Sequence, residues 1–98
     1  MLSCQFAAAY TVHGAGNISC GQWTATKGAR YNAEGWVQGY ISAYDMHVFK
    51  GENVAKGIDA AGLFGWIDNY CATHPLDDVW WATDLLVHEL VRRSGEPP

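Results

Sequence analysis

The side chains that could bind a metal ion or act as a nucleophile are few, and Asp84 and His88 form the most suggestive pair. They are four residues apart in a segment with helical periodicity, so both would lie on one helix face and could share a metal ion. No third ligand is near them, and no C-x-x-C or paired-histidine spacing occurs. We therefore interpret them as an ordinary surface pair and predict no metal and no cofactor. The full set of histidines and cysteines is His13, His47, His74, His88, Cys4, Cys20 and Cys71.

Catalytic motifs are incomplete. The segment 20–23, Cys-Gly-Gln-Trp, is similar to the Cys-Gly-x-Cys-Trp pattern of cysteine proteases, but it lacks the second cysteine, and 98 residues are too few for that fold. The adjacent Asp77 and Asp78 are better placed to complement the positive end of a helix than to act as a general acid and base. The glycines at 14 and 16 have no phosphate-loop context. We predict no catalytic residues and a protein that is not an enzyme.

Residues 1–9 resemble the end of a secretory signal peptide. Ala7 and Ala9 satisfy the A-x-A rule, which predicts cleavage after Ala9, although the charged start and most of the apolar region of a signal are missing. Either the start codon has been placed too far downstream, or these residues form an ordered or frayed arm. A lipoprotein box at Cys4 is a weaker alternative, because no hydrophobic stretch precedes it. The expected organisation is a signal remnant over 1–9 and a single helical domain over 10–98.

The cysteine count supports export. Removing residues 1–9 leaves Cys20 and Cys71, an even pair. A bridge that closes a loop of roughly 50 residues would stabilise the fold by about 4 kcal/mol in the chain-entropy model, comparable to the whole stability of a small domain. The alternative is two buried free thiols in a cytosolic protein. We predict a Cys20–Cys71 disulfide and a periplasmic or secreted location.

Hydrophobic periodicity predicts that helices position these residues. Ser19 is a candidate N-cap of a short helical turn, and Asp59 is a candidate N-cap of the second of three predicted long helices. Pro75 fits the first turn of the third long helix. Cys71 shares the apolar face of the second long helix, where Cys20 could reach it. The three long helices are predicted over 32–49, 59–73 and 75–94. The expected fold class is all-α, a bundle of three long helices plus a short N-terminal helical turn, stapled by one disulfide.

Small residues recur four apart on the first long helix, at Gly35, Gly39 and Ala43. Two glycines inside a helix cost about 1 kcal/mol each relative to alanine. Their regular spacing favours close packing of a second helix, or of the bridged segment, over tolerated imperfections.

The chain has five tryptophans and five tyrosines, a high number for 98 residues, and such aromatic residues either fill a small core or mark an interface. Adjacent helical residues point about 100° apart, so Trp80 and Trp81 cannot both face the core. One of them should lie at a boundary or on the surface. Together with Trp36 and Tyr44, they are the predicted partner-binding residues. An exposed ring also favours a homodimer that would cover it.

Charge excludes one class of partner. The net charge is −4, and the six Lys and Arg residues are scattered, so the basic stripe that nucleic-acid binding requires is missing. No apolar run approaches the ~20 residues of a membrane-spanning helix. The expected partner is another protein, either an effector or an unfolded client.

Three segments together resemble a group of small exported bacterial proteins: 19–23 (SCGQW), 35–41 (GWVQGYI) and 68–76 (DNYCATHPL). The group comprises the HdeA/HdeB-like acid chaperones and the Rap/Tai immunity proteins of type VI secretion systems. The resemblance spans residues 17–93. It implies an all-α periplasmic fold with one helix-to-helix disulfide.

Three functions follow as expectations. The first is a periplasmic protein-binding domain, such as an immunity protein or inhibitor that occludes a partner protein, as the immunity relatives do to a cell-wall amidase. The second is an acid-stress chaperone, because protonated carboxylates and histidines would make the chain positive in acid and could open its apolar surface. The third is an envelope protein without a catalytic task.

Overall fold

The computed structural model describes residues 10–95, and the regular structure in that range is helical. A 3₁₀ helix, Gly14–Asn17, precedes four α-helices. These are α1 (Cys20–Ala25), α2 (Tyr31–His47), α3 (Ala60–Thr73) and α4 (Val79–Ser94). The predicted all-α class, with three long helices and one short N-terminal helix, is confirmed. The predicted signal remnant 1–9, with Cys4, lies outside the described residues.

Side-chain caps start two helices where the sequence predicted them. The Ser19 hydroxyl accepts a hydrogen bond from the Gln22 amide at 3.0 Å, and the Asp59 carboxylate accepts one from the Gly62 amide at 2.8 Å. Each cap satisfies an amide that has no partner inside its own helix. Helix α4 ends at Gly95, whose φ of 77° is the left-handed conformation that glycine adopts without strain.

Helix α4 begins at Val79, four residues after the predicted start at Pro75. The intervening backbone pairs instead with the segment that leads into α1. The Cys20 amide donates to the Asp77 carbonyl at 2.7 Å, and the Gly21 amide donates to the Pro75 carbonyl at 2.9 Å. These long-range hydrogen bonds engage the carbonyls of Pro75 and Asp77, and the helix begins only at Val79. Pro75 is therefore not in the first turn of α4.

The core lies between α1 and the inner faces of the three long helices. Trp23 of α1 is fully buried at its centre, where the ring meets Phe64 of α3 edge to face at 6.0 Å. Cys20 and Cys71 form a disulfide that joins α1 to α3, with Cα atoms 4.8 Å apart. The predicted bridge is confirmed, and it fastens the short helix to the long one against which it packs. The buried apolar residues of the long helices are Ala33, Val37, Ile41, Leu63, Ile67, Val79, Ala82, Leu86, Val87, Leu90 and Val91.

A buried arginine, which the sequence analysis did not single out, links α1, α2 and α3. The Arg30 guanidinium lies 3.9 Å from the Trp23 ring centroid and donates to the Trp23 carbonyl at 3.1 Å. Its nitrogens are 2.8 Å from Asp68 and 3.1 Å from Glu34. Trp23 Nε1 also donates to Asp68, at 2.8 Å. We call Trp23, Arg30, Glu34 and Asp68 the arginine network.

The predicted close packing at Gly35, Gly39 and Ala43 is wrong for contacts within the chain. All three lie on the exposed face of α2. A Cβ atom added at Gly35 or Gly39 would have no neighbouring atom within 4 Å among the described residues. The reason is that Val37 and Ile41 direct the opposite face of α2 into the core, so the small residues point to solvent.

Candidate binding groove

Four aromatic rings from three parts of the chain line a cleft of about 530 Å³. Trp36 and Tyr40 come from α2, Trp80 from α4, and Tyr10 from the segment before the 3₁₀ helix. Asp84 of α4 contributes a carboxylate. We call this set of five residues the aromatic groove. It has the composition typical of ligand sites, apolar and aromatic walls with a few convergent polar groups.

Trp36 is held from two sides. Its Nε1 donates to the His13 carbonyl at 2.7 Å, and its ring packs against Gly16 of the 3₁₀ helix. A Cβ atom at Gly16 would overlap the Trp36 ring, so only glycine allows the backbone to approach this closely. Tyr40, one helical turn later, has its ring centroid 5.5 Å from that of Trp36. The Trp36 ring in the α2 wall of the groove is therefore oriented by contacts within the chain itself.

The opposite wall is anchored by a carboxylate and a ring. Trp80 Nε1 donates to Asp78 at 3.2 Å, and the Trp80 ring meets Tyr10 edge to face at 5.9 Å. Asp78 is the N-cap residue of α4, close to the positive end of the helix, as predicted, but its side chain binds Trp80 and makes no cap hydrogen bond. Asp77 likewise accepts a hydrogen bond from Tyr70. Both aspartates thus orient aromatic side chains.

Asp84 ties the two walls together. The Tyr40 hydroxyl donates to Asp84 Oδ1 at 2.6 Å, which links α2 to α4. Burial raises the pKa of Tyr40, and the hydrogen bond and negative charge of Asp84 raise it further, so the phenol remains a proton donor. His88 Nε2 lies 3.8 Å from Asp84 Oδ2, and the His88 side chain is largely exposed. The predicted surface pair of Asp84 and His88 is confirmed. The hydrogen bond from Tyr40 is the shorter contact of Asp84.

The structure brings together two of the four predicted partner-binding residues. Trp36 and Trp80 line the aromatic groove. Tyr44 lies beside Phe49, with ring centroids 6.2 Å apart, and does not line it. Trp81 is 41% exposed and meets Trp80 edge to face at 5.8 Å, outside the groove lining. The expectation that one of the adjacent tryptophans lies at a boundary or on the surface is confirmed.

The sequence analysis did not assign Tyr10, Tyr40 or Asp84 to a site. The usable signal was the i,i+4 spacing of Trp36 with Tyr40 and of Trp80 with Asp84, which places each pair on one helix face. That signal could not show that the two faces meet, because Tyr40 and Asp84 are 44 residues apart.

A second cavity, of about 800 Å³, lies between the segment after α2 and the end of α4. Its lining carries charged groups of both signs, Glu52, Lys56 and Arg93, and Phe49 is its aromatic residue. Because this lining favours neither a cation nor an anion and has one aromatic ring, the aromatic groove is the stronger candidate.

Other site chemistry is limited in the described part of the chain. Residues 10–95 contain no group of three or more His, Cys, Asp or Glu side chains that could hold a metal ion. Cys20 is the cysteine of the protease-like segment 20–23. It is bonded to Cys71 and has no free thiol. No helix in the same range has the length and apolar content required to cross a bilayer.

Comparison of the chain with models of protein families, with curated proteins and with solved structures found no match. The resemblance to the HdeA/HdeB-like and Rap/Tai families therefore remains a prediction from the quoted segments.

Proposed function

We propose that the chain is an exported, non-catalytic protein-binding domain, and that the aromatic groove holds a segment of its partner. The observation that carries the proposal is the convergence of Tyr10, Trp36, Tyr40 and Trp80 around one cleft. Aromatic side chains of this kind dominate the binding energy at protein interfaces. A groove open to solvent between two helices can accept a side chain or an extended segment.

Preorganisation supports this role. Trp36 contacts His13 and Gly16, and Trp80 donates a hydrogen bond to Asp78, so contacts within the chain favour the observed orientation of both rings. Ordering a flexible side chain on binding costs roughly 0.5–1.5 kcal/mol, which rings held in place before binding largely avoid.

Export is part of the proposal. The disulfide between Cys20 and Cys71 is of the kind that persists in oxidising compartments such as the periplasm or the extracellular space. Within that setting, the resemblance to the Rap/Tai proteins favours an inhibitor that occludes a partner protein. The groove would then be the surface that recognises that partner.

The test is differential capture. Tagged wild-type protein, a Trp80→Leu variant and a Trp66→Leu control are each mixed with a cell-envelope extract of the source cells, and retained proteins are identified by mass spectrometry. Trp66 is a half-buried tryptophan on α3, outside the groove, so it matches the loss of aromatic area. We expect one protein to be retained by the wild type and the control but lost with Trp80→Leu. Equal retention by all three, or no retention by the wild type, would reject the proposal.

One observation favours the acid-chaperone alternative. Burial raises the pKa of Asp68, but the Trp23 hydrogen bond and the Arg30 charge outweigh it, so the pKa lies below its ordinary value of 3.8. The arginine network would therefore keep its Asp68 charge at the ordinary value and lose it only in more acidic solution, where the contact with the buried Arg30 would weaken. If a model client aggregates equally at about pH 3 with and without the protein, this alternative fails.

A further inference from the structure

The aromatic groove offers the two features that attract an organic cation. One is the set of aromatic rings of Trp36, Tyr40 and Trp80, and the other is the carboxylate of Asp84. A cation over an aromatic ring is stabilised by the ring quadrupole, most strongly over tryptophan. A carboxylate beside the rings adds a direct charge partner.

Asp84 has acceptor capacity left. Its Oδ1 accepts the hydrogen bond from Tyr40, while the nearest basic atom to Oδ2 is His88 Nε2 at 3.8 Å, beyond hydrogen-bonding distance. The Asp84 side chain is 30% exposed, so a group entering the groove can reach it. An ionised carboxylate accepts up to about four hydrogen bonds, and Tyr40 uses one.

The charge of the surroundings has the matching sign. Among the described residues, the groove lining contains no lysine or arginine and has His13 as its one imidazole, and the whole chain carries a net charge of −4. A basic partner would therefore meet no lysine or arginine from this part of the chain, and its approach would be favoured electrostatically.

The same chain already shows the complete arrangement elsewhere. In the arginine network, the Arg30 guanidinium stacks 3.9 Å from the Trp23 ring centroid and lies 2.8 Å from Asp68, while Trp23 Nε1 donates to that carboxylate. In the groove, a ring hydroxyl donates to Asp84 in the corresponding way, beside two tryptophans. The groove thus combines the same kinds of group that hold Arg30, namely an aromatic ring, a hydrogen-bond donor on a ring and a carboxylate.

We propose that the aromatic groove binds the guanidinium group of an arginine side chain of the partner protein, a claim that rests on the proposed function and specifies the chemistry of the occupant. Arginine fits better than lysine because a planar guanidinium stacks on a ring while its N–H fork reaches a carboxylate. The compact, strongly hydrated ammonium of lysine can satisfy only one of these contacts well.

The experiment is an NMR titration of the full chain with acetyl-Gly-Arg-Gly-amide, which follows the indole N–H signals of the five tryptophans. Matched peptides carry lysine, or citrulline, the neutral isostere of arginine. We expect the Trp36 and Trp80 signals to shift and the buried Trp23 signal to stay. Citrulline should bind about three- to thirty-fold more weakly, from the sum of an exposed cation–π contact and one ion pair. Lysine should fall between the two.

Two variants distinguish the effect of the groove carboxylate on binding from the effect of the net charge of the chain. Asp84→Asn keeps an oxygen for the Tyr40 hydroxyl but removes the negative charge, and should weaken arginine binding by roughly 1.5- to fivefold. Glu52→Gln removes the same charge from the other cavity and should leave binding unchanged. Equal binding of the arginine and citrulline peptides, or equal weakening by both variants, would overturn the proposal.

Two further outcomes are informative. If the indole signals shift with protein concentration alone, and Asp84→Asn abolishes that shift, the occupant is a second copy of the chain and the proposal is wrong. If Trp80→Leu removes a captured partner but the arginine peptide shifts nothing, the proposed function survives and this inference fails. Binding of the arginine peptide without any captured partner supports the guanidinium chemistry of the groove, while the proposed function, and with it the partner protein as the source of the arginine, fails.

Discussion

Replacing Asp68 with asparagine tests whether the arginine network holds the frame of the molecule. The change is nearly isosteric, and Trp23 Nε1 can still donate to the remaining oxygen. What disappears is the charge 2.8 Å from the Arg30 guanidinium, whose side chain is only 3% exposed. The variant therefore leaves a buried cation with Glu34 as its remaining acidic partner within the network.

The size of the effect follows from burial. Removing one partner of a fully buried ion pair costs about 3–5 kcal/mol. The Asp68 side chain is 26% exposed and Glu34 stays in place, so we expect a smaller cost of about 2–3 kcal/mol, below that range. For a domain of this size, that loss lowers the melting temperature by roughly 10–20 °C.

The assay is thermal and urea unfolding followed by circular dichroism, with Lys27→Met as the control. Lys27 lies 3.3 Å from the same carboxylate but is 69% exposed, so its loss should cost less than about 1 kcal/mol. Because the Asp68 pKa is lowered in the folded state, its contribution is fully present above the ordinary value of 3.8 and is lost as the pH falls through the folded-state pKa. The difference between wild type and Asp68→Asn should therefore shrink in that acidic window.

The reasoning is refuted if Asp68→Asn and Lys27→Met unfold within about 1 kcal/mol of each other near neutral pH. It is also refuted if the difference between wild type and Asp68→Asn does not change with acid, since the network would then carry no linked charge.

The remaining predictions concern backbone contacts and the bridge. Gly16→Ala should displace the Trp36 ring and lower the unfolding free energy by about 1–3 kcal/mol, visible as a shifted indole NMR signal. Gly39→Ala, on the exposed face of α2, should instead raise the melting temperature through a gain of roughly 1 kcal/mol, and a loss would show that this face is packed. Replacing both Cys20 and Cys71 with alanine should cost about 4 kcal/mol in urea unfolding, and an unchanged midpoint would show that the bridge does not stabilise the fold.

Local signals in the sequence predicted the helices. Ser19 and Asp59 cap the helices α1 and α3, as their residue types predicted. Periodic apolar residues of α2 and α3, such as Val37 and Ile67, are buried. The start of α4 was misplaced because backbone pairing of segment 75–79 with segment 18–21 overrides the preference of Pro75 for a first turn.

Non-local features were beyond the reach of periodicity. Arg30 lies in the connection before α2, and its partners Trp23 and Asp68 are 45 residues apart, so no spacing pointed to the arginine network. The aromatic groove combines two helices with the segment at Tyr10, and only their packing shows which rings converge. The small residues of α2 were misassigned because a four-residue repeat identifies a face but not which side of the helix is buried.

The central claim is that one covalent bridge between α1 and α3 stabilises the helical domain that carries the groove. Peptide mapping of the unreduced protein, alkylated while unfolded, tests it most directly. The structure predicts a linked peptide pair containing Cys20 and Cys71, with neither thiol alkylated. Alkylation of both residues, with no linked pair, would contradict it.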